Sequence, residues 1–210
     1  MNIEFQKIPW MIQRTLPLLT WRIKPRNRND RRLFLTFDDG PTPGVTEQVL
    51  KELASFNAQA TFFCLGEQAA QHPELVHELV RAGHVVANHG NQHLDGWKTS
   101  TQEYVEDVRM GQSQIPVETK HFRPPYGRFT FSQWWRLRKQ YQCIMWDVTS
   151  QDYRAELSGS DIEAIVLEHA TPGSIVLLHD SELAAPRMLA ALPRLLRHYQ
   201  DRGFQFATIP

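Results

Sequence analysis

The chain has 210 residues, 41% of them hydrophobic, which is enough for one sizeable domain with a core and short for two. Its 23 basic and 23 acidic side chains balance to a formal net charge of zero, so it lacks the basic field that nucleic-acid binding requires. We therefore expect a small or neutral ligand and no nucleic-acid partner.

Residues 1–32 are predicted to form an N-terminal extension that packs on or near the domain. The apolar stretch 8–21 contains polar interruptions, and neither a basic start nor a small-residue cleavage site marks it as a signal peptide. We therefore expect a cytoplasmic protein. Peripheral association with a membrane is an alternative, because Trp10 and Trp21 stand next to a basic stretch. No apolar run approaches the length of a membrane span.

From residue 33 to the C-terminus, short apolar runs alternate with helix-like segments. Several of the runs are apolar throughout, which is typical of parallel strands covered on both faces. Cys64 and Cys143 lie in such runs and are expected to be buried thiols without a disulfide. Strands are predicted at 33–37, 60–65, 84–88, 120–123, 141–146, 174–178 and 204–209. Helices are predicted at 46–56 (with Thr46 as N-cap), 73–83, 101–114, 131–140, 160–169 and 186–201.

The polar residues at the strand ends favour one of two α/β architectures. Seven strand–helix units are compatible with an open doubly wound sheet or with a closed, irregular (β/α) barrel. A barrel gathers the carboxyl ends of its strands at one mouth, whereas an open sheet spreads them along a crevice. We therefore predict a single domain at residues 33–210, an irregular barrel of about seven parallel strands. The polar residues at the strand ends are Asp38, Asp39, His89, Arg123, Asp147 and His179.

Three of the polar residues form a potential metal site. His89 and His93 are four residues apart, which would place both imidazoles on one face of a helical turn, level with Asp39. Taken separately, DDGP is more typical of a turn than of a metal site, and a lone His pair is a weak signal. Together, one carboxylate and two imidazoles leave positions for water, as in catalytic sites. Zinc suits these ligands best, and Co²⁺, Mn²⁺ or Fe²⁺ would also fit.

Five motifs of the chain, in their order, resemble those of the polysaccharide deacetylases, the NodB-homology family of carbohydrate esterase family 4. These motifs are TFDDGP, HGNQH, RPPYG, TSQDY and IVLLHD. The resemblance runs from about residue 33 to the C-terminus. It implies that Asp38 is the catalytic base and that Asp39, His89 and His93 are metal ligands. Two departures stand out: Gly90 replaces the hydroxyl residue of the second motif, and TSQDY matches the fourth motif imperfectly.

The same resemblance implies the remaining roles. Arg123 would pair with the base, and the Tyr126 backbone amide would help to bind the oxyanion. His179 would be the general acid, oriented by Asp152, for which the nearby Asp147 is a competitor.

The residue types agree with the chemistry of amide hydrolysis. One divalent ion activates water and polarises the carbonyl, a free carboxylate accepts a proton, and an imidazole protonates the departing nitrogen. The expected activity is hydrolysis of N-acetyl groups from an amino-sugar polymer or oligomer. The alternatives are a deformylase or deacetylase of a lipid-linked or small linear amide, and a sugar-binding protein without activity.

Of the aromatic side chains near the strand ends, Trp97, Tyr126, Trp146 and Tyr153 are candidates to stack on a sugar ring, and Tyr126 is preferred.

Overall fold

The computed structural model describes residues 5–210 and contains one parallel sheet. Its strand order is β5-β4-β3-β2-β1-β7-β6, and β8 pairs with β1. Every strand predicted from the sequence is present, although β4, β5 and β8 are only two residues long. One strand, β6, was not predicted. The strands are β1 Arg32–Asp38, β2 Thr61–Cys64, β3 Val85–Asn88, β4 His121–Phe122, β5 Gln142–Cys143, β6 Val148–Thr149, β7 Ile175–His179 and β8 Gln205–Phe206.

Helices connect the strands and cover the outer face of the sheet. The six predicted helices are present, with ends that shift by up to three residues, and α1 and α3 were not predicted. Thr46 is the first residue of α2 and not its N-cap, because its hydroxyl accepts a hydrogen bond from Thr42 while Val45 occupies the cap position. The helices are α1 Trp10–Thr15, α2 Thr46–Ser55, α3 Gly66–Gln71, α4 Pro73–Arg81, α5 Thr101–Gln114, α6 Phe131–Leu137, α7 Gly159–His169 and α8 Ala185–Asp201.

The sheet curls into an irregular half-barrel, which agrees with the predicted deformed barrel. No ladder joins β5 to β6 in the described part of the chain. The N-terminal segment lies along both of these edges instead: Thr20 forms a parallel bridge with Ile144, and Lys7 forms an antiparallel bridge with Val148. The gap between the two edge strands is therefore covered by residues that precede β1. The first four residues of the predicted extension lie outside the described residues.

The largest core cluster lies between the sheet and the helices. It contains β1, β2 and β7 side chains such as Leu35, Phe62 and Leu178, packed against α2, α4, α7 and α8. Cys64 and Cys143 are buried free thiols, as predicted. None of the helices within residues 5–210 combines the length and apolar character that crossing a membrane requires.

Candidate active site

The polar residues singled out in the sequence meet at the carboxyl ends of the strands. β1 pairs with β7 so that Asp38 lies opposite His179. β3 ends at Asn88, so His89 leaves the sheet at the same edge. Arg123 directly follows β4, and its backbone N–H donates to the carbonyl of Asn88. Parallel pairing thus brings together residues that are far apart in the sequence, such as Asp38 and His179.

The end of β1 directs two successive carboxylates toward one site. Asp38 is the last strand residue, and Asp39 has a φ of 81°, in the left-handed region that non-glycine residues rarely adopt. A residue in this conformation interrupts the alternation of side chains along a strand. One carboxylate oxygen of each aspartate consequently lies 3.7 Å from Nε2 of His89. Asp39 itself, and not the glycine that follows it, adopts the unusual conformation.

The segment from His89 to His93 is an irregular loop and not the helical turn that the four-residue spacing predicted. Gly90 and His93 have φ values of 82° and 57°, and such left-handed residues are incompatible with a helical turn. The loop folds back nevertheless, so that the two imidazole centroids are 5.2 Å apart. The expected proximity is present, but the helical explanation for it was wrong.

A carboxylate from α5 supports this loop. Asp107 accepts hydrogen bonds from the backbone N–H groups of Asn91 at 2.9 Å and Gln92 at 3.0 Å. A Cβ added to Gly90 would lie 2.7 Å from Asp107 Oδ2, so a larger residue at position 90 would crowd the carboxylate. The glycine that departs from the second motif therefore faces a side chain that hydrogen-bonds the loop.

Asp39, His89 and His93 form a cluster of potential metal ligands. One donor atom from each lies within 4.8 Å of the other two. Asp39 Oδ1 is 3.7 Å from His89 Nε2 and 3.4 Å from His93 Nε2, too long for hydrogen bonds. This buried oxygen has no hydrogen-bond partner, which would be costly unless another positive group satisfied it. The residues therefore fit a divalent cation.

The protonation state of His89 agrees with a ligand role. Its Nδ1 lies 2.8 Å from the carbonyl oxygen of Arg123, which can only accept, so Nδ1 carries the proton and the lone pair of Nε2 faces Asp39. Burial of the ring, with a smaller contribution from His93, lowers the pKa of His89 to about 3. The imidazole is neutral near pH 7, as metal coordination requires.

Arg123 fixes the carboxylate of Asp38. Its side chain is fully buried, and Nη1 donates to Asp38 Oδ1 at 2.6 Å and to the hydroxyl of Thr36 at 2.8 Å. The other guanidinium nitrogens donate to the carbonyls of Ile144 and Met145. Burial raises the pKa of Asp38, and the guanidinium opposes that shift. Because Oδ1 is engaged, Oδ2 is the oxygen that faces His89.

On the other side of β1, Asp152 contacts His179. Asp152 Oδ1 lies 2.7 Å from Nδ1 of the imidazole, and Oδ2 accepts the backbone N–H of His179 at 2.8 Å. Burial disfavours the imidazolium, but the charge of Asp152 and its hydrogen bond, with contributions from Asp39 and Asp38, raise the pKa of His179 to about 10. Asp147 does not contact this ring. It directly precedes β6, at the amino and not the carboxyl end of that strand, and pairs with Arg22 of the N-terminal segment.

The aromatic candidates occupy different surroundings. The Tyr126 ring packs 4.4 Å from that of His93 and is 57% exposed, and its backbone is left-handed with a φ of 57°. Tyr153 contacts His179 edge-on, at 5.5 Å between ring centroids. Trp146 is partly buried against the apolar cores. Trp97 is 67% exposed in the loop between β3 and α5.

Three buried residues near the site were not singled out in the sequence. Thr36 lies two positions before Asp38, and the alternation of strand side chains would have identified it. Asp180 accepts hydrogen bonds from the Gly40 N–H and the Thr46 hydroxyl, so it holds the turn that follows Asp39. Asp107, described above, is the third. Helical position alone gives no sign that Asp107 reaches the loop before α5.

Comparison with known proteins identifies relatives along most of the chain. A family model described as polysaccharide deacetylase matches residues 25–142. The chain is 32% identical over 198 residues to a peptidoglycan-N-acetylglucosamine deacetylase of Bacillus cereus, covering 91% of each chain. It is 35% identical over 197 residues to a chitooligosaccharide deacetylase of Sinorhizobium fredii, covering 85% of this chain and 90% of the relative.

A solved structure extends the similarity to the fold. The Bc1960 peptidoglycan N-acetylglucosamine deacetylase, in complex with 4-naphthalen-1-yl-N-oxidanyl-benzamide, superposes with a TM-score of 0.85 at 27% identity. The match covers 92% of this chain and 91% of that one.

Proposed function

The chain belongs to the polysaccharide deacetylase family, the NodB-homology family of carbohydrate esterases, and on this basis we propose how its residues perform the reaction. It is a carbohydrate deacetylase. We propose that the substrate is an N-acetylated amino-sugar oligomer or polymer of the kind named for its relatives, peptidoglycan or chitooligosaccharide.

The observation that supports this proposal is the arrangement of three groups around one point. The cluster of Asp39, His89 and His93 contains an unpartnered buried carboxylate oxygen. Asp38 lies beside it, outside the cluster, and His179 lies opposite Asp38 across the β1–β7 pair. A potential metal site, a base and an acid are thus brought to one mouth.

We propose that Asp39, His89 and His93 hold one divalent cation, with zinc best suited to one carboxylate and two imidazoles. Such an ion, when bound, supplies Lewis-acid activation of water and of the acyl carbonyl. Deprotonated ligands are needed for this, and His89 is neutral at physiological pH.

Asp38 is the proposed general base. Arg123 holds Oδ1, which leaves Oδ2 to accept a proton from the attacking water. The water oxygen bonds to the acyl carbon as the carbonyl becomes an oxyanion. The backbone N–H of Tyr126 is the proposed donor to this oxyanion.

His179 is the proposed general acid. With Nδ1–H directed at Asp152, the opposite nitrogen, Nε2, donates a proton to the amide nitrogen as the carbon–nitrogen bond breaks. The products are acetate and a free amine on the sugar. The raised pKa of His179 keeps this acid protonated at neutral pH, and a bound cation would lower that pKa by repulsion.

The function is tested by measuring acetate and formate release from chitooligosaccharides, peptidoglycan fragments and lipid-linked amino sugars, with metal content determined on the same sample. We expect acetate from the first two and loss of activity after chelation. Formate from a lipid-linked sugar alone would favour the alternative activity. Binding without release of either acid would indicate a sugar-binding protein.

Two variants test the assigned roles. Asp38→Asn is expected to lower turnover by roughly 10²–10⁴-fold while metal content is retained, because this residue lies outside the ligand cluster. The exposed Glu78→Gln on α4 is the matched control.

His179→Ala is expected to slow amide cleavage more than cleavage of an activated acetate ester, whose leaving group needs no proton. Equal losses on both substrates would argue against an acid role.

A further inference from the structure

Trp97 is an exposed indole that is joined to the proposed metal site through two side chains. The Tyr126 ring lies 4.4 Å from the His93 ring. The guanidinium of Arg128 lies 5.8 Å from the centroid of Tyr126 and 5.0 Å from that of Trp97. A row of contacts therefore leads from His93 through Tyr126 and Arg128 to Trp97.

The indole is held in place although it is exposed. Its Nε1–H donates to the carbonyl of Phe129 at 3.3 Å, and the Trp97 backbone N–H donates to Asp95 Oδ1 at 3.0 Å. The second oxygen of Asp95 accepts a bond from Arg128 at 2.9 Å. The carboxylate of Asp95 thus connects Trp97 to the guanidinium of Arg128. The orientation of the indole ring is therefore set before any ligand binds.

The loop that carries the indole is also fixed from beneath. Gln133 of α6 donates to the carbonyls of Gly96 at 2.9 Å and of Thr99 at 3.1 Å. A Cβ added to Gly96 would lie 2.5 Å from the carbonyl oxygen of Arg128, so the two loops touch at backbone level. An aromatic side chain with a satisfied polar edge, a fixed backbone and 67% exposure has the properties of a binding platform.

We propose that Trp97 stacks on the apolar face of a hexopyranose ring in the unit adjacent to the one being deacetylated, with Arg128 and Tyr126 between the two units. This inference rests on the proposed function and adds a subsite to it. The C–H face of a pyranose is apolar and slightly positive, which complements the negative face of an indole. The contacts lead from His93 to Tyr126, then to Arg128 and then to Trp97, and we therefore place a neighbouring unit, and not the reacting one, at Trp97.

Kinetics on substrates of different length test the proposal. Trp97→Ala is expected to raise KM for N-acetylglucosamine oligomers of three to five units by about tenfold and to change kcat by less than about twofold. Turnover of an activated acetate ester should be unchanged, which also shows that the variant is folded. Trp97→Phe should retain most of the affinity.

Trp135→Ala is the matched control. Trp135 is 53% exposed on α6 and has a guanidinium, that of Arg138, 3.8 Å from its ring centroid, but it is not connected to His93 through the row described above. Its removal should leave KM for the oligomers unchanged. Equal KM increases in both variants, an unchanged KM in Trp97→Ala, or a matching loss on the ester would each overturn the subsite.

A binding measurement separates this inference from the proposed function. In an Asp38→Asn background, calorimetric titration with N-acetylglucosamine pentamer should give an affinity about tenfold lower when Trp97→Ala is added. Acetate release by the wild type with no effect of Trp97→Ala on affinity would overturn the subsite alone. Absence of acetate release with a Trp97-dependent affinity would overturn the deacetylase function and leave the sugar-binding platform.

Discussion

Asp152 contacts His179 at two points, through Nδ1 of the imidazole at 2.7 Å and the backbone N–H at 2.8 Å. Both bonds involve one fully buried carboxylate, so the backbone and the ring of His179 are oriented by the same group. The carboxylate accepts a hydrogen bond from Nδ1–H, so Nε2 lies on the side of the ring away from Asp152. The tautomer and the direction of the proposed acid are therefore set together.

Asp152→Asn is predicted to move the high-pH limb of the kcat/KM profile to lower pH by about one unit or more. The charge of Asp152 raises the pKa of His179, and the protonated imidazole is lost as the pH rises through that pKa. Without the charge of Asp152, the protonated imidazole is therefore lost at a lower pH. The low-pH limb, attributed to Asp38, should not move. Asp147→Asn is the control, since Asp147 pairs with Arg22 and should affect stability but not this limb. An unmoved limb in Asp152→Asn would contradict the assignment.

Arg123→Lys is predicted to lower the free energy of unfolding by roughly 2–3 kcal/mol and turnover by at least about 100-fold. An ammonium cannot replace the fork that reaches Asp38 and two backbone carbonyls, so buried acceptors lose partners. Urea denaturation and steady-state kinetics measure the two effects. Arg194→Lys, in an exposed pair with Glu163, should change stability by less than about 1 kcal/mol. Similar losses in both variants would be evidence against a special role for Arg123.

Asp107→Asn is predicted to weaken the affinity for the proposed zinc ion by about 10- to 100-fold, because residues that hold metal ligands in place commonly contribute that much. An amide has one acceptor oxygen in place of two, so either Asn91 or Gln92 loses its partner and the loop with His93 is less well held. Competition titration with a chelator gives the affinity, and saturating zinc should restore most of the activity. Glu106→Gln, an exposed neighbour on α5, is the control. Unchanged zinc affinity in Asp107→Asn would show that the loop needs no such support.

His84 is predicted to contribute to loss of stability in acid. Its Nδ1 accepts the backbone N–H of Ala60 at 3.1 Å, and burial lowers its pKa to about 4. The pKa of His84 is lower in the folded than in the unfolded chain, so its contribution to stability is complete above about pH 6.5. As the pH falls toward 4, the free energy of unfolding decreases by up to about 3 kcal/mol. His84→Asn, which does not titrate, should flatten the dependence of unfolding free energy on pH in this window. An equally steep dependence in the variant would exclude His84 as its source.

The motifs and the apolar runs were sufficient to predict the family, the parallel strands and several of the residues that meet at the carboxyl ends of the strands. This is possible because each depends on local information: a buried parallel strand needs a continuous apolar run, and its carboxyl end carries the polar residue. Asp38, Arg123 and His179 could all be located in this way. Short segments with few apolar residues, such as β6 and α3, carry no comparable signal and were not predicted.

The conformations and long-range contacts within the site depended on the folded chain. Spacing predicted the proximity of His89 and His93 but attributed it to a helical turn, whereas two left-handed residues in a loop produce it. Distance along the sequence could not separate Asp147 from Asp152 as the partner of His179, because the strand between them was not recognised. Asp107 reaches its loop across 16 residues, and such a contact exists only after α5 packs against β3. The sequence determines which side chain stands at each position. The partner of a buried carboxylate is determined by tertiary packing, because packing brings distant segments into contact.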